Sequence, residues 1–187
     1  MLELGTAGRP QAILELTDKN LDLENNLIDL GGGKVHRRKR RPVVPIARHV
    51  RPWVEGIEGK LIRYRVPIAE KNRTPDGPTH YERHTKSIKT VWNAVCREAR
   101  IENATPKTLR HTMLTWLARR GVPQEQRQML AGHSPQGTTS KNYEHLSPDY
   151  LDAAIREVDA FFVELAKHTQ LSMRYSCDTP TNRQLAA

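Results

Sequence analysis

Four polar side chains have the types needed to act together on a phosphodiester: Arg9, Arg110, His133 and Tyr143. Two guanidinium groups can bind the non-bridging oxygens of a phosphate and neutralise the charge that develops in the transition state. A tyrosine hydroxyl can attack the phosphorus and form a stable covalent ester, and a histidine can help to move its proton. The set therefore indicates phosphoryl transfer that needs neither a metal ion nor a nucleotide cofactor.

Each of these residues lies in its own short motif. The motifs are Gly5-Thr-Ala-Gly-Arg9-Pro-Gln, Thr105-Pro-Lys-Thr-Leu-Arg110-His-Thr112, Leu130-Ala-Gly-His133-Ser and Thr138-Thr-Ser-Lys-Asn-Tyr143-Glu-His. Arg110 precedes His133 by 23 positions, and His133 precedes Tyr143 by 10. In this order they resemble the "TGxRxxE", "HxLRHT", "LGHS" and "TTxxxYxH" boxes of the tyrosine recombinases, the phage integrase family. The combination is specific, whereas any one box alone is weak.

The resemblance, which spans most of the chain, implies a fold and a reaction. The fold is α+β and mainly α-helical, the tyrosine recombinase catalytic-domain fold with a small antiparallel sheet near the N-terminus. The reaction is site-specific DNA recombination through a 3′-phosphotyrosyl intermediate. Arg9 and Arg110 would clamp the scissile phosphate, and Tyr143 would attack it and free a 5′-hydroxyl. His133 would hydrogen-bond the phosphate or assist proton transfer.

A strongly basic run occupies residues 34–41. The resemblance places the general acid, a lysine between two strands, in this run; Lys39 is the preferred candidate and Lys34 the alternative. The remaining charges of the run would contact DNA phosphates, and so would the histidine that follows the second arginine. The predicted DNA-binding residues are Lys34, Arg37, Arg38, Arg40, Arg41 and His111.

Two positions depart from the family pattern. Lys107 stands where the second arginine box has histidine. Residues three apart share one face of a helix, so Lys107 can still reach the phosphate and is counted among the catalytic candidates. It is a poorer general base, because lysine stays protonated at neutral pH. Gln11 and Ala12 occupy the place of the glutamate that usually follows the first arginine.

Domain organisation leaves two functional interpretations open. Family members normally carry an N-terminal DNA-clamping domain, whereas here the first arginine box begins next to Met1. We therefore expect a catalytic domain over residues 1–166 without that clamp, and a disordered tail over 167–187. The chain is then either an active recombinase or a truncated, inactive DNA-binding remnant. The resemblance implies that an active recombinase works as a homo-tetramer on DNA. A helix-turn-helix regulator would explain the charge but not the motif order.

Composition favours a nucleic-acid partner. The 187 residues include 30 Lys and Arg against 21 Asp and Glu, for a net charge of +9 and a pI near 9.8. Such a balance favours a polyanion, here double-stranded DNA. No apolar run is long enough to cross a membrane and no signal peptide is evident, so we expect a cytoplasmic location. The two cysteines, Cys96 and Cys177, form no metal-binding pattern, and we expect no metal or cofactor.

Apolar periodicity and the turn-forming residues predict the order of the elements. We expect a short helix over 9–16, three strands over 21–24, 27–30 and 42–46, a helix over 47–58 interrupted by Pro52, a surface loop over 70–85, amphipathic helices over 87–100 and 107–120, a short helix over 123–130, and a last helix that begins at Ser147.

Overall fold

The computed structural model describes residues 1–32, 40–133 and 150–169. These residues contain six α-helices and five short strands, joined by turns and short 3₁₀ helices. The helices are α1 Leu2–Thr6, α2 Pro10–Glu15, α3 Lys89–Glu98, α4 Pro106–Arg119, α5 Gln124–Leu130 and α6 Asp152–Lys167. The strands are β1 Leu21–Asp22, β2 Leu27–Asp29, β3 Val43–Pro45, β4 Arg63–Pro67 and β5 His80–His84. This confirms the α+β, mainly helical class.

Helix α4 lies at the centre of the helical layer and contacts α1, α5 and α6. It begins at Pro106. Proline is well tolerated there, because the first backbone N–H groups of a helix have no intrahelical acceptor and the lack of one costs nothing. The Thr105 N–H donates to Thr108 Oγ1 at 2.9 Å. The helix ends before Gly121, which adopts φ +75°. Met113 and Leu117, one turn apart, are fully buried, so α4 presents one apolar stripe to the core.

The N-terminal sheet is antiparallel, as predicted, and its strand order is β1-β2-β3. Ile28 pairs with Leu21 on one side and Val44 on the other, and both Ile28 and Val44 are fully buried. Asn26 adopts φ +57° in the β1–β2 turn, a conformation that asparagine tolerates well. The sheet packs into the same core as α1, α2 and α4–α6.

Helix α6 is held against the turn that follows β3. The Asp159 carboxylate accepts hydrogen bonds from the backbone N–H groups of Arg48 and His49, at 3.3 and 3.1 Å, and lies 2.7 Å from His49 Nδ1. Phe162, one turn later, is buried beside the His49 ring. These contacts join α6, the last helix of the described residues, to Arg48 and His49.

Two predicted elements are wrong. Residues 47–58 form turns and a short 3₁₀ helix, Arg51–Trp53, because Pro52 removes a donor and Gly56 adopts φ +71°. Residues 80–84 are not part of a loop but form β5, which pairs with β4 from Arg63↔His84 to Pro67↔His80. Neither strand has a buried residue, and β5 has Tyr81 as its one apolar or aromatic residue, so no apolar alternation marks β5 in the sequence.

Every residue from 62 to 109 is at least partly exposed. This stretch includes the β4–β5 hairpin and α3, which is helical as predicted. The apolar side of α3 is largely open to solvent, since Val91 is 66% and Val95 is 53% exposed. Trp92 is half-buried and donates through Nε1 to the Ala104 carbonyl at 3.0 Å. The stretch therefore adds no buried residue to the core.

The last helix begins later than predicted. Leu151 precedes it with φ −116° and ψ 18°, which are not helical angles, and α6 starts at Asp152. The predicted cap, Ser147, lies outside the described residues, as does most of the predicted tail, from residue 170 onwards.

Candidate active site

Arg110 occupies the second turn of α4 and is the centre of the candidate site. Its side chain is only 6% exposed. Nη1 donates to the Ala7 carbonyl, and Nη2 donates to the Ala131 carbonyl at 2.7 Å. These acceptors lie at the end of α1 and at the end of α5. The guanidinium is thereby fixed in position by two other elements.

Arg9 is placed beside it by the tight turn between α1 and α2. Ala7 adopts φ 47° after α1, and the Thr6 hydroxyl accepts the Gly8 N–H at 3.1 Å. Arg9 then caps α2, whose first residue is Pro10. Its Nη1 donates to the Arg40 carbonyl at 2.7 Å. The turn thus directs Arg9 toward the end of the basic run.

His133 completes the cluster from the end of α5. The Gly132 N–H donates to the Met129 carbonyl and the His133 N–H to the Gln128 carbonyl, both at 2.9 Å. This pair of bonds is a Schellman motif, in which Gly132 takes the left-handed position with φ +62°. His133 Nε2 lies 3.3 Å from Arg110 Nη2. Because arginine only donates, a hydrogen bond at this distance requires Nε2 to accept, which is the neutral imidazole with its proton on Nδ1.

The three side chains share one electrostatic environment. Burial and the neighbouring Arg9 charge lower the pKa of Arg110 to about 10, against the opposing effect of Glu3. Arg110 therefore stays protonated at neutral pH. Burial, then Arg110, then Arg9 lower the pKa of His133. The site thus combines the positive charges of two arginines with an imidazole whose neutral form is favoured, an arrangement suited to an anionic phosphate.

The backbone of residues 40–43 forms one wall of the cluster. A Cβ built on Gly132 would lie 2.6 Å from the Arg40 carbonyl oxygen and 2.7 Å from Pro42 Cδ, so only glycine fits there. Tyr150 donates its hydroxyl proton to the Val43 carbonyl at 2.6 Å. His133 therefore lies next to this wall, and Tyr150 is in contact with it. The two residues flank residues 134–149 in the chain.

The other described candidates surround the cluster. Lys107 is exposed in the first turn of α4, one turn before Arg110, and His111 is exposed at the next position after Arg110. Arg40 is exposed beside Arg9. Arg41 pairs with Glu15, with 2.5 Å between Nη1 and Oε2, so part of its charge is already compensated. Tyr143, Lys39, Lys34, Arg37 and Arg38 lie outside the described residues.

Comparison with known proteins identifies the family. The model of the "Phage integrase family" matches residues 1–149, a range that contains all four motifs. The chain belongs to the phage integrase family. This confirms the resemblance to the tyrosine recombinases that the ordered motifs indicate.

A curated relative supports the assignment. This phage integrase family chain is 30% identical over 95 residues to the protein named Integrase of Salmonella phage P22. The match covers 50% of the chain and 24% of the relative. The chain thus aligns with about a quarter of the length of that relative.

The described part of the integrase-family chain has neither a metal-binding cluster nor a membrane-spanning helix. Within residues 1–32, 40–133 and 150–169, no group of three or more histidine, cysteine, aspartate or glutamate residues is placed to hold a metal ion. Among the helices described, none is both long and apolar enough to span a bilayer.

Glu3 is a residue of the site region that the sequence interpretation missed. It is 6% exposed on α1, and its Oε1 has no hydrogen-bond partner among the described residues. Burial raises the pKa of Glu3 to about 7, against the opposing charges of the amino terminus and Arg110. A single glutamate between Leu2 and Leu4 resembles an ordinary helix-surface residue in the sequence. Only the packing of α1 on α4 places it near the arginine cluster.

Glu3→Gln is expected to change how stability depends on pH. A carboxyl whose pKa is raised on folding stabilises the protein fully below its unfolded value of about 4.5, and this contribution is lost as pH rises through about 7. The variant lacks that loss and should become about 1 to 3 kcal/mol more stable relative to wild type between pH 5 and pH 8. Urea denaturation across this range measures the difference. The exposed Glu102→Gln serves as the control, and parallel profiles for all three proteins would contradict the prediction.

Proposed function

We propose that this chain breaks and rejoins DNA strands at specific sites through a covalent 3′-phosphotyrosyl intermediate. The observation that carries the proposal is the convergence of Arg9, Arg110 and His133 from three separate segments. Their order and spacing match the motifs of the phage integrase family, whose model includes Tyr143 in its matched range. The domain responsible is proposed to be residues 1–166.

The arginines supply binding and transition-state stabilisation. Arg9 and Arg110 bind the non-bridging oxygens of the scissile phosphate, and their charges neutralise the negative charge that develops there. Arg110 is held by the Ala7 and Ala131 carbonyls, so little reorganisation is needed when the phosphate arrives. Lys107, at the start of the same helix, adds a further positive charge at the rim.

Tyr143 is the nucleophile in this proposal. Its oxygen bonds to phosphorus while the bond to the 5′-oxygen breaks, and the energy of the phosphodiester is kept in the phosphotyrosine. His133, neutral at physiological pH, hydrogen-bonds the phosphate or assists transfer of the tyrosine proton. The placement of His133 and Tyr150 next to the 40–43 wall supports the assignment of Tyr143, because the segment that contains Tyr143 follows one of these residues and precedes the other.

A lysine of the basic run donates the proton to the leaving 5′-oxygen. Lys39 is our choice and Lys34 the alternative. The support is that Arg40, the next residue after Lys39, contacts Arg9 through its carbonyl. Lys34, Arg37, Arg38, Arg40, Arg41 and His111 are proposed to bind the surrounding DNA phosphates. The partner is double-stranded DNA, on which four copies are proposed to assemble.

The alternative is a DNA-binding remnant that no longer cleaves. Lys107 favours it, since it occupies the histidine position of the second arginine box and lysine is a poorer general base than histidine. In that case the arginine cluster would bind a phosphate without the proton transfers that cleavage requires. Binding without any covalent product would distinguish the remnant from the enzyme.

A nicked suicide duplex tests the proposal. When the strand fragment that carries the 5′-hydroxyl diffuses away, the covalent complex cannot be reversed and accumulates. We expect the wild-type chain to form a covalent protein–DNA complex that survives denaturation, and Tyr143→Phe to form none. The variant lacks only the tyrosine hydroxyl, and DNA affinity should be retained because a hydroxyl contributes little to phosphate binding.

Two outcomes would contradict the proposal. If wild type binds the duplex but traps nothing, the remnant interpretation replaces the enzyme. If Tyr143→Phe still forms a covalent complex, another residue is the nucleophile. Trapping must therefore be scored together with DNA affinity for both proteins.

A further inference from the structure

The β4–β5 hairpin is an exposed element that the candidate active site does not use. Its strands have no buried residue, and it belongs to the stretch 62–109, which adds no buried residue to the core. A two-stranded hairpin gains little stability on its own in water and usually needs a packing partner. Because this hairpin does not pack into the core, we expect it to bind another molecule.

Both ends of this stretch are attached to elements of the arginine cluster. Before β4, the Leu61 N–H donates to the Leu16 carbonyl at 3.1 Å, at the end of the helix that Arg9 caps. After α3, helix α4 begins at Pro106, one turn before Arg110. The hairpin therefore projects from the part of the molecule that contains both clamp arginines.

The two faces of the hairpin differ in chemistry. Cross-strand partners share a face, and successive residues alternate between faces. The charged face contains Arg63, Arg65, His80, Glu82 and His84, together with Pro67. Its acid, Glu82, is already paired with Arg63 at 2.7 Å.

The opposite face, called the tyrosine face, is mainly apolar. It contains Tyr64, Val66, Tyr81 and Arg83. Tyr64 and Tyr81 are each 47% exposed. Charge extends beyond the strands, since residues 63–89 contain seven lysines and arginines against three acids. The region as a whole is therefore suited to a polyanion rather than to an apolar partner.

We propose that the β4–β5 hairpin is a second DNA-contacting element, whose charged face binds phosphates of the duplex beside the cleavage site. A two-stranded ribbon is about 5 Å wide between strand axes, and the major groove, about 12 Å wide, admits such a ribbon with its side chains. The inference rests on the proposed function, because it takes the same duplex as its partner.

Salt dependence of DNA binding tests the proposal with matched variants. Arg65→Gln removes one charge from the charged face, and Arg83→Gln removes one charge from the tyrosine face of the same hairpin. Affinity of the full chain for a duplex is measured at several NaCl concentrations. For Arg65→Gln we expect affinity to fall about threefold to tenfold and the slope of log K against log salt to decrease by about 1. Arg83→Gln should change both by much less.

The outcomes separate this inference from the proposed function. Equal effects of the two variants, or none from Arg65→Gln, would overturn the assignment of the charged face. A change in self-association instead of DNA affinity would assign the hairpin to a protein interface and would also overturn it. Melting temperatures identify any variant with a folding defect, and Arg63→Gln, which changes the same face and leaves Arg65 in place, then repeats the measurement. Covalent trapping by wild type is scored separately, so its failure overturns the enzyme assignment without deciding the role of the hairpin.

Discussion

Arg110→Lys is expected to slow covalent strand cleavage by about 10²- to 10³-fold, the usual effect of removing one donor to a transition-state oxygen. Lysine keeps the positive charge but not the planar fork. It cannot donate to the Ala7 and Ala131 carbonyls and also reach a phosphate. Single-turnover trapping on the suicide duplex measures the rate.

The same variant should also be less stable. Two carbonyls that Arg110 now binds would lose a charged donor inside the protein, and we expect a cost of about 1 to 3 kcal/mol in the free energy of unfolding. Arg119→Lys, an exposed change on the same helix, should alter neither stability nor cleavage. If Arg110→Lys cleaves saturating DNA at the wild-type rate, the guanidinium of Arg110 has a structural role only.

Gly132→Ala should destabilise the protein by about 2 to 4 kcal/mol. About 1 kcal/mol comes from placing a residue with a Cβ in the left-handed backbone conformation. The rest comes from the contact of this Cβ with Arg40 and Pro42 of the 40–43 wall. Because Gly132 immediately precedes His133, the backbone shift that relieves this contact should also weaken cleavage. Chemical denaturation and trapping measure the two effects.

Gly121→Ala is the matched control. Gly121 also ends a helix with a positive φ, +75°, but no described atom lies within 4 Å of a Cβ built there. Its cost should therefore be limited to the conformational part, about 1 kcal/mol, with cleavage unchanged. If both variants lose the same stability, the close approach of residues 40–42 to Gly132 has no energetic consequence.

Helices α4 and α5, which position Arg110 and His133, could be predicted because each carries local signals, whereas no helix was predicted over α1, Leu2–Thr6. Thr105-Pro106 and Gly121 delimit α4, and its apolar stripe repeats at helical spacing. Gly132 marks the end of α5 in the same way. The motif order grouped Arg9, Arg110 and His133, and the structure places these three side chains close together.

Other features could not be predicted, for physical reasons. Strand β5 has no buried residue and only Tyr81 among its five residues is apolar or aromatic, so no period-2 signal arises there. The burial of Glu3 depends on the packing of α1 against α4, which are distant in sequence. Local propensity over residues 47–58 suggested a helix, whereas Pro52 and the left-handed Gly56 divide the segment into turns.

The hydrogen bonds of the two arginines imply different capacities for a ligand. A guanidinium has five N–H donors. Within the described part of the chain, Arg110 directs three of them at Ala7, Ala131 and His133, which leaves two. Arg9 directs one at the Arg40 carbonyl, which leaves four. Arg110 is thus a nearly saturated donor that presents a fixed pair of hydrogens, whereas Arg9 can change partners and follow the phosphate as its geometry changes from tetrahedral to trigonal bipyramidal.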